Sequence, residues 1–392
     1  MKKLAIFSLT VASLLYGDEF YLNGKKVTLE PLDNKQVSKI STELKNPVKF
    51  YNFNGKVVGA TNRILVKFKK GDINISNIEK RYNIQHIKSL KKIMVFKTET
   101  PKEAVKTAKL LYESKEVHYA NPVFERKILK NESLSLKFPT VNFPKKDATT
   151  LAKYIPSDSL PVFDVNGYIN NEKYYDYIFT FKDAAWWHIH NRGGQETYKV
   201  GGDTLTTTIS VPDVDANTIE AWESGFFGQG VRVGIIDDAF LTSHPDMQFI
   251  FTYNVAFENR DVDPKTSEDI HGTSTLAVIA AKSQNGISMT GISPKVDIVA
   301  VNGLHYVDPT ILTEKYIEAM QIMQDQNVRV LNCSFGTQGV VNDALKDAFY
   351  ELSTNGGNGL GTLILFSSGN EGLSTHESDE TTIPEVVAVG AV

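Results

Sequence analysis

The order of apolar and polar positions divides the chain into three stretches. Ile64, Val66 and Phe68 alternate with polar neighbours, which predicts a strand opening at Arg63. Ile75, Ile78 and Tyr82 recur at helical spacing within 73–84, and Ile87–Thr98 reads as strand again. Pro101–Ser114 places Ala104, Ala108 and Leu111 on one helical face behind a first-turn proline, and Val117–Glu125 closes as a strand. The order β-α-β-α-β predicts a small split βαβ module. Ahead of it, Phe20–Asn62 holds short alternating runs broken by Asn23-Gly24 and Asn54-Gly55, the turn dipeptides of hairpins. Arg126–Asp213 is rich in Asn, Asp, Lys and Tyr and carries few periodic signals, so it reads as a connector wrapped on a neighbour. Its Trp186-Trp187-His188-Ile189-His190-Asn191 knot reads as packing, because two histidines do not make a metal site.

From Ile219 onward apolar runs alternate with helical patterns. Strands are predicted at Val231–Ile236, Phe249–Val255, Val296–Asn302, Val328–Ser334, Thr362–Ser367 and Val386–Ala391. Helices are predicted at His271–Lys282, Thr313–Gln326 and Asn342–Thr354. This alternation predicts a doubly wound, mostly parallel α/β sheet. A dinucleotide fold needs its glycine-rich turn after the first strand, whereas Gly228 and Gly230 precede this one and acids follow it.

Charge adds a division of its own. The net charge of −4 conceals +13 over Asp18–Asp147 and −19 over Ala148–Val392, with Lys2 and Lys3 making up the difference. The front-half lysines are dispersed along amphipathic elements, which argues against nucleic acid and for two domains that attract one another. Met1–Gly17 has two lysines, an apolar run and a small residue, the layout of a secretory signal peptide, although Leu15 stands where a small residue is usual. No later run is long enough to span a membrane. A single cysteine, Cys333, excludes a disulfide framework.

Candidate chemistry lies at strand ends. Gly230-Val231-Arg232-Val233-Gly234-Ile235-Ile236 is a buried strand that ends in Asp237-Asp238, where open parallel sheets place their chemistry. His271 opens a helical run behind the acidic loop Asp261, Asp263, Glu268, Asp269, and Asn370 sits on a tight Gly-Asn-Glu-Gly turn after an apolar strand. Taken singly, each has a structural reading as a cap, a packed imidazole or a turn.

Together, in this order, they resemble the subtilisin-like serine proteases over Ile219–Val392. Gly230–Asp237 with His244-Pro245-Asp246 is similar to the family's aspartate strand, and His271-Gly272-Thr273 to its histidine helix. Val330–Gly336 resembles the substrate-binding strand and Ser368-Gly369-Asn370-Glu371-Gly372 the oxyanion turn. Asp237-Asp238 and Asn259–Pro264 resemble the kexin-like branch in particular. Ala239, Ser274 and Leu276-Ala277 depart from the family pattern without touching the reactive groups. The front half resembles a subtilase prodomain.

The resemblance implies a signal peptide (1–17), an inhibitory and chaperone-type prodomain (18–130), a connector (131–218) and a partial catalytic domain (219–392). It implies acyl transfer to a serine. His271 would be the general base, Asp237 its orienting acid and Asn370 the oxyanion donor, while Ser334, Phe335 and Gly336 would hold an extended polypeptide substrate through their backbone. No cofactor is required and no metal ligands are assigned. A structural calcium ion is the one ion implied, at the Asp261/Asp263 loop. Asp213-Val214-Asp215-Ala216-Asn217 starts like a calcium loop but lacks the glycine and the distal glutamate, and reads as a turn. Glu377, Asp379 and Glu380 are candidates to face basic substrate residues. The implied compartment is exported: periplasmic, cell-surface or secreted.

The family's Gly-Thr-Ser-x-Ala-x-Pro segment, which carries the nucleophile, does not occur in residues 1–392. The expectation is therefore a truncated, inactive serine endopeptidase precursor. The alternative is a non-catalytic pseudoprotease that binds peptides or inhibits a relative.

Overall fold

A computed structural model describes residues 17–32, 34–37, 47–129, 189, 194–200, 203–209, 215–266, 269–283, 290–369 and 380–390. The chain divides into two compact units. The first is Met1–Glu125 with the short segments Asp308–Thr310 and Asn342–Ala344; the second is Arg126–Val307, Ile311–Val341 and Leu345–Val392. The signal-peptide reading falls outside the described residues.

The first unit contains β1 (Asp18–Leu22), β2 (Lys25–Pro31), α1 (Asn34–Val37), β3 (Val48–Phe53), β4 (Lys56–Phe68), α2 (Ile75–Tyr82), β5 (Gln85–Leu90), β6 (Ile93–Lys97), α3 (Pro101–Glu113) and β7 (Val117–Phe124). Its sheet runs β1-β2-β3-β4-β6-β5, with β7 also paired to β4. The Asn-Gly turns form as expected: Asn23 and Gly24 have φ of 51° and 72°, Asn54 and Gly55 of 52° and 78°, the left-handed pair a two-residue hairpin requires. Helix α3 starts at a capping box, in which Thr100 Oγ1 accepts from Glu103 N–H and Glu103 Oε2 accepts from Thr100 N–H. Ala104, Ala108 and Leu111 then pack on Ile64, Val66 and Phe96. Ile87–Thr98, expected as one strand, is instead the hairpin β5–β6. The chain reverses at Lys91, which takes φ 49° although no glycine or asparagine marks the turn.

The second unit contains β8 (Lys127–Leu129), β9 (Gly194–Val200), β10 (Asp203–Ile209), α4 (Thr218–Glu223), β11 (Arg232–Ile236), β12 (Phe249–Asn254), α5 (His271–Ala280), β13 (Asp297–Asn302), α6 (Leu312–Asp325), β14 (Val330–Cys333), β15 (Gly336–Gln338), α7 (Asp343–Gly359), β16 (Leu363–Ser367) and β17 (Val386–Val389). Six strands form one sheet in the order β12-β13-β11-β14-β16-β17, every pair parallel. Each predicted strand of this sheet is present within about two residues of its expected ends, the usual uncertainty of strand and helix boundaries. Helical geometry in α7 stops before Gly356, where ψ reaches 178°.

Strand β11 is the pivot. It lies between β13 and β14; the chain first fills one side, with β12 at the edge and β13 inside it, and then builds outward on the other through β14, β16 and β17, so the carboxyl end of β11 is the sheet's switch point. Val233, Ile235 and Ile236 are buried, and Gly234 lets the layer above approach. A Cβ at Gly234 would lie 2.6 Å from Met323 Sδ and 2.9 Å from Val328 Cγ1.

Two details differ from the sequence reading. The expected connector holds the antiparallel hairpin β9–β10, whose Thr-rich second strand has β propensity without apolar alternation. Of the aromatic knot, only Ile189 is among the described residues; it is fully buried in the core with Trp222, Ile235 and Leu276.

Candidate active site

The site forms where β11 ends. Asp237 is 7% exposed, and its backbone N–H still pairs with Val301 O at 3.2 Å, so its backbone is anchored to the sheet. Helix α5 then places His271 against it, with His271 Nδ1 to Asp237 Oδ1 at 2.7 Å. The same oxygen accepts from Asp238 N–H at 2.8 Å, and Asp237 Oδ2 accepts from Thr275 Oγ1, one turn along α5, at 3.2 Å. The close approach requires Gly272, where a Cβ would stand 2.5 Å from Ala239 O and 2.9 Å from Asp237 Cβ.

Electrostatics follow from this packing. The hydrogen bond to Asp237 raises the His271 pKa above 6.5, outweighing partial burial of the ring, which favours the neutral form. The His271 side chain is 46% exposed against 3% for Asp237: a base with one nitrogen anchored and the rest of the ring open to a reactant. Asp238 sits differently. Its Oδ1 accepts from Ala239 N–H and Gly272 N–H, each at 2.6 Å, and its Oδ2 from His271 N–H at 3.1 Å. Burial pushes the Asp238 carboxyl up and the neighbouring Asp237 charge adds to this, against the opposing pull of those amides. Asp237, Asp238 and His271 are, among the described residues, the one group of three potential metal ligands within 4.8 Å, but Nδ1 and Oδ1 already bind each other.

The other expected residues fall into place unevenly. Cys333 pairs with Ile236, so Ser334 follows at the same sheet end as Asp237. Phe335 is a core residue, its ring 5.9 Å from that of Tyr316 and 5.7 Å from that of Phe366. Gly336 opens β15, whose backbone is paired antiparallel with β8: Gly336 opposite Leu129, Thr337 opposite Ile128 and Gln338 opposite Lys127. Asn370, Glu377 and Asp379 lie outside the described residues, whereas Gly369 has φ 86° and Ser368 N–H bonds Val389 O at 2.9 Å. In the loop expected to hold calcium, the Asp261 and Asp263 carboxylates are each engaged by a neighbouring side chain. Lys265 Nζ takes Asp261 Oδ2 at 2.5 Å, and Thr242 binds both oxygens of Asp263.

Sequence reasoning missed three contributors. Thr275, one helical turn from His271, could have been found from its i+4 spacing. The capping role of Asp238 had only its position as a signal. The burial of Arg126 against Glu380 had none, because the two lie 254 residues apart.

Part of the chain is similar to known proteins. Residues 228–392 match the family model of the subtilase family, Peptidase_S8. This stretch of the second unit is thus similar to the subtilase family, and several curated relatives carry the names of kexin- and furin-type processing proteases. The dibasic-processing endoprotease of Schizosaccharomyces pombe is 32% identical over 171 residues, 41% of this chain and 23% of that protein. Human proprotein convertase subtilisin/kexin type 4 is 31% identical over 173 residues, 41% of this chain and 22% of that protein. Furin-1 of Xenopus laevis is 30% identical over 172 residues, 40% and 21% respectively. The chain thus spans less than a quarter of the length of these relatives. Among solved structures, the epidermin leader peptide processing serine protease of Staphylococcus aureus overlaps 83% of this chain and 69% of its own, at 12% identity and a TM-score of 0.43. The Aeromonas sobria serine protease, solved with its chaperone, overlaps 47% and 31%, at 23% identity and a TM-score of 0.37.

Proposed function

We propose that the chain is part of a subtilisin-like serine endopeptidase precursor and supplies the general base and its orienting acid. The observation that carries this reading is the 2.7 Å contact between His271 Nδ1 and Asp237 Oδ1 at the carboxyl end of the central strand. Asp237 fixes the tautomer with Nδ1 protonated, which leaves Nε2 to take a proton from a serine hydroxyl and return it to the leaving amine. Asn370 is assigned as oxyanion donor by its place in Gly369-Asn370-Glu371-Gly372. A polypeptide substrate would add as a strand to the Ser334–Gly336 backbone. The pairing of β15 with β8 supports this, since that edge already accepts an extended antiparallel segment.

In the same reading residues 18–130 act as a folding and inhibitory prodomain and residues 1–17 direct export. No helix among the described residues is long and apolar enough to cross a membrane. The relatives' names include dibasic processing, so cleavage after basic residues is the specificity to expect. Residues 1–392 contain no Gly-Thr-Ser-x-Ala-x-Pro segment, so on their own they would bind peptide without hydrolysing it. The test is a purified 1–392 protein offered a fluorogenic peptide library. No turnover is expected, and turnover abolished by His271→Ala would mean that another hydroxyl within 1–392 serves. The second reading, a peptide-binding pseudoprotease, is also favoured by the β8–β15 pairing. It requires that the reading frame encode no serine segment after Val392.

A further inference from the structure

Two residues before His271, the Asp269 side chain is buried, and one of its oxygens gathers three donors. Asp269 Oδ2 accepts from Lys265 N–H at 3.0 Å, from Thr266 N–H at 2.9 Å and from the Tyr306 hydroxyl. Burial works to raise this carboxyl. The Tyr306 hydroxyl, the two amides and the nearby His305 outweigh it and hold Asp269 below the usual carboxylate value. Asp269 is therefore an anion at neutral pH, and a hydroxyl donating to an anion makes a strong hydrogen bond. Burial, and then Asp269 itself, push the Tyr306 phenol up, so it keeps the proton it donates. His305 Nε2 lies 3.3 Å from Asp269 Oδ1, an ion pair when the ring is protonated though not aligned as a hydrogen bond, and the His305 and Tyr306 ring centroids are 3.9 Å apart.

The other end of this contact is fixed by the sheet. β13 ends at Asn302, and Gly303 turns the chain with φ 90°, where a Cβ would collide with Asn254 Oδ1. Leu304–Tyr306 then form a single 3₁₀ turn, with Tyr306 N–H on Gly303 O at 3.0 Å. β13 is the neighbour of β11: Ile236 pairs with Val301, whose carbonyl takes the Asp237 N–H. Asp237 and Tyr306 thus leave adjacent strand ends of one sheet. The first holds the ring of His271, and the second holds the chain two residues before it.

We propose that Tyr306 is a positioning residue for the base: through Asp269 it sets where helix α5 begins, and with it the placement of the His271 ring against Asp237. The proposal rests on the reading of His271 as the base and adds the residue that places it. Asp238 binds the first amides of α5, but Ile270, where the chain enters the helix, has no side-chain cap of its own. The Tyr306–Asp269 contact supplies the hold on that entry. Placement at this level matters to rate, because an error of about 1 Å in a reacting group can cost about 10²-fold.

The test is the titration of the His271 ring, followed by NMR in the 1–392 protein. Tyr306→Phe removes a hydroxyl and no charge, so a moved midpoint reports a moved ring. With its entry segment loosened, the imidazole gives up part of its bond to Asp237. The midpoint is expected to fall by about half a unit or more, and by less than Asp237→Asn produces. A substitution that only weakens the fold lowers the melt and leaves the folded-state midpoint in place; that result, with Asp237→Asn still moving the midpoint, overturns the proposal alone. If neither variant moves it, the pairing behind the base reading falls as well. Should Tyr306→Phe not fold, Asp269→Asn, which nearly keeps the side-chain volume, carries the test through amide exchange at His271 and Gly272. Protection at least about tenfold lower than in the unaltered protein supports the positioning role, and unchanged protection overturns it.

Discussion

Asp238 caps the helix that carries His271. Helix α5 has no side-chain cap of its own at Ile270, and the two Asp238 oxygens take the N–H groups of His271 and Gly272 instead. Asp237 therefore orients the imidazole while its neighbour fixes the backbone beneath it. Asp238→Ala is expected to destabilise the protein by about 1–2 kcal/mol, the scale of a lost N-cap. Asp238→Asn, which keeps one acceptor oxygen, should retain more of that stability. Chemical denaturation of the two variants checks this, and an unchanged midpoint for Asp238→Ala contradicts the capping role.

The His271–Asp237 pair should be visible in pH dependence. The folded-state pKa of His271 lies above 6.5, chiefly through the Asp237 hydrogen bond. Its contribution to stability is therefore fully present below pH 6.5 and is lost as pH rises through the raised folded value. Asp237→Asn should move the imidazole titration down by about one unit or more, as expected on loss of a neighbouring opposite charge. An NMR titration of the ring protons measures it; a midpoint that stays put would show that the contact does not hold the ring in solution.

Gly272 answers to space, not to helix propensity. Alanine at a helical position usually gains up to about 1 kcal/mol over glycine. Here the new methyl would stand 2.5 Å from a backbone oxygen of Ala239. Gly272→Ala is expected to lose about 1–3 kcal/mol through overpacking and to shift His271 away from Asp237. A thermal melt at or above the unaltered midpoint contradicts this.

An apolar face lies open at the edge of the parallel sheet. Leu363 on β16 and Val387 and Val389 on β17 are each about half exposed, and their registers place them on one face. Such a patch binds hydrophobic dyes and promotes association. The 1–392 protein should enhance anilinonaphthalene sulfonate fluorescence, and the double change Val387→Thr with Val389→Thr should reduce it. Absence of enhancement would mean that the face is covered in solution.

Much of this was legible in the residues, for identifiable reasons. β11 announced itself because a strand buried on both faces must be a short run of Val, Ile and Gly, and the Asn-Gly turns because only such pairs tolerate two left-handed residues. The order Asp237, His271 carried the site, since each residue sits at the end of a regular element whose period can be read. The β5–β6 hairpin escaped because Lys91 adopts a left-handed turn with no compositional mark. β8 and β15 escaped because three-residue strands have no periodicity and pair only through tertiary proximity. The buried Arg126–Glu380 pair escaped for the same reason: it depends on acceptors that the fold gathers from Thr337, Val340 and Glu380.

His271, held by Asp237, is proposed as the base of a serine endopeptidase. The direct measurement is steady-state peptide hydrolysis by the protein expressed from the complete reading frame, with and without His271→Ala. Hydrolysis by the unaltered protein is expected, with a loss of about 10⁶-fold in turnover on the substitution, the scale known for the same change in subtilisin itself. Turnover undiminished by His271→Ala would contradict it.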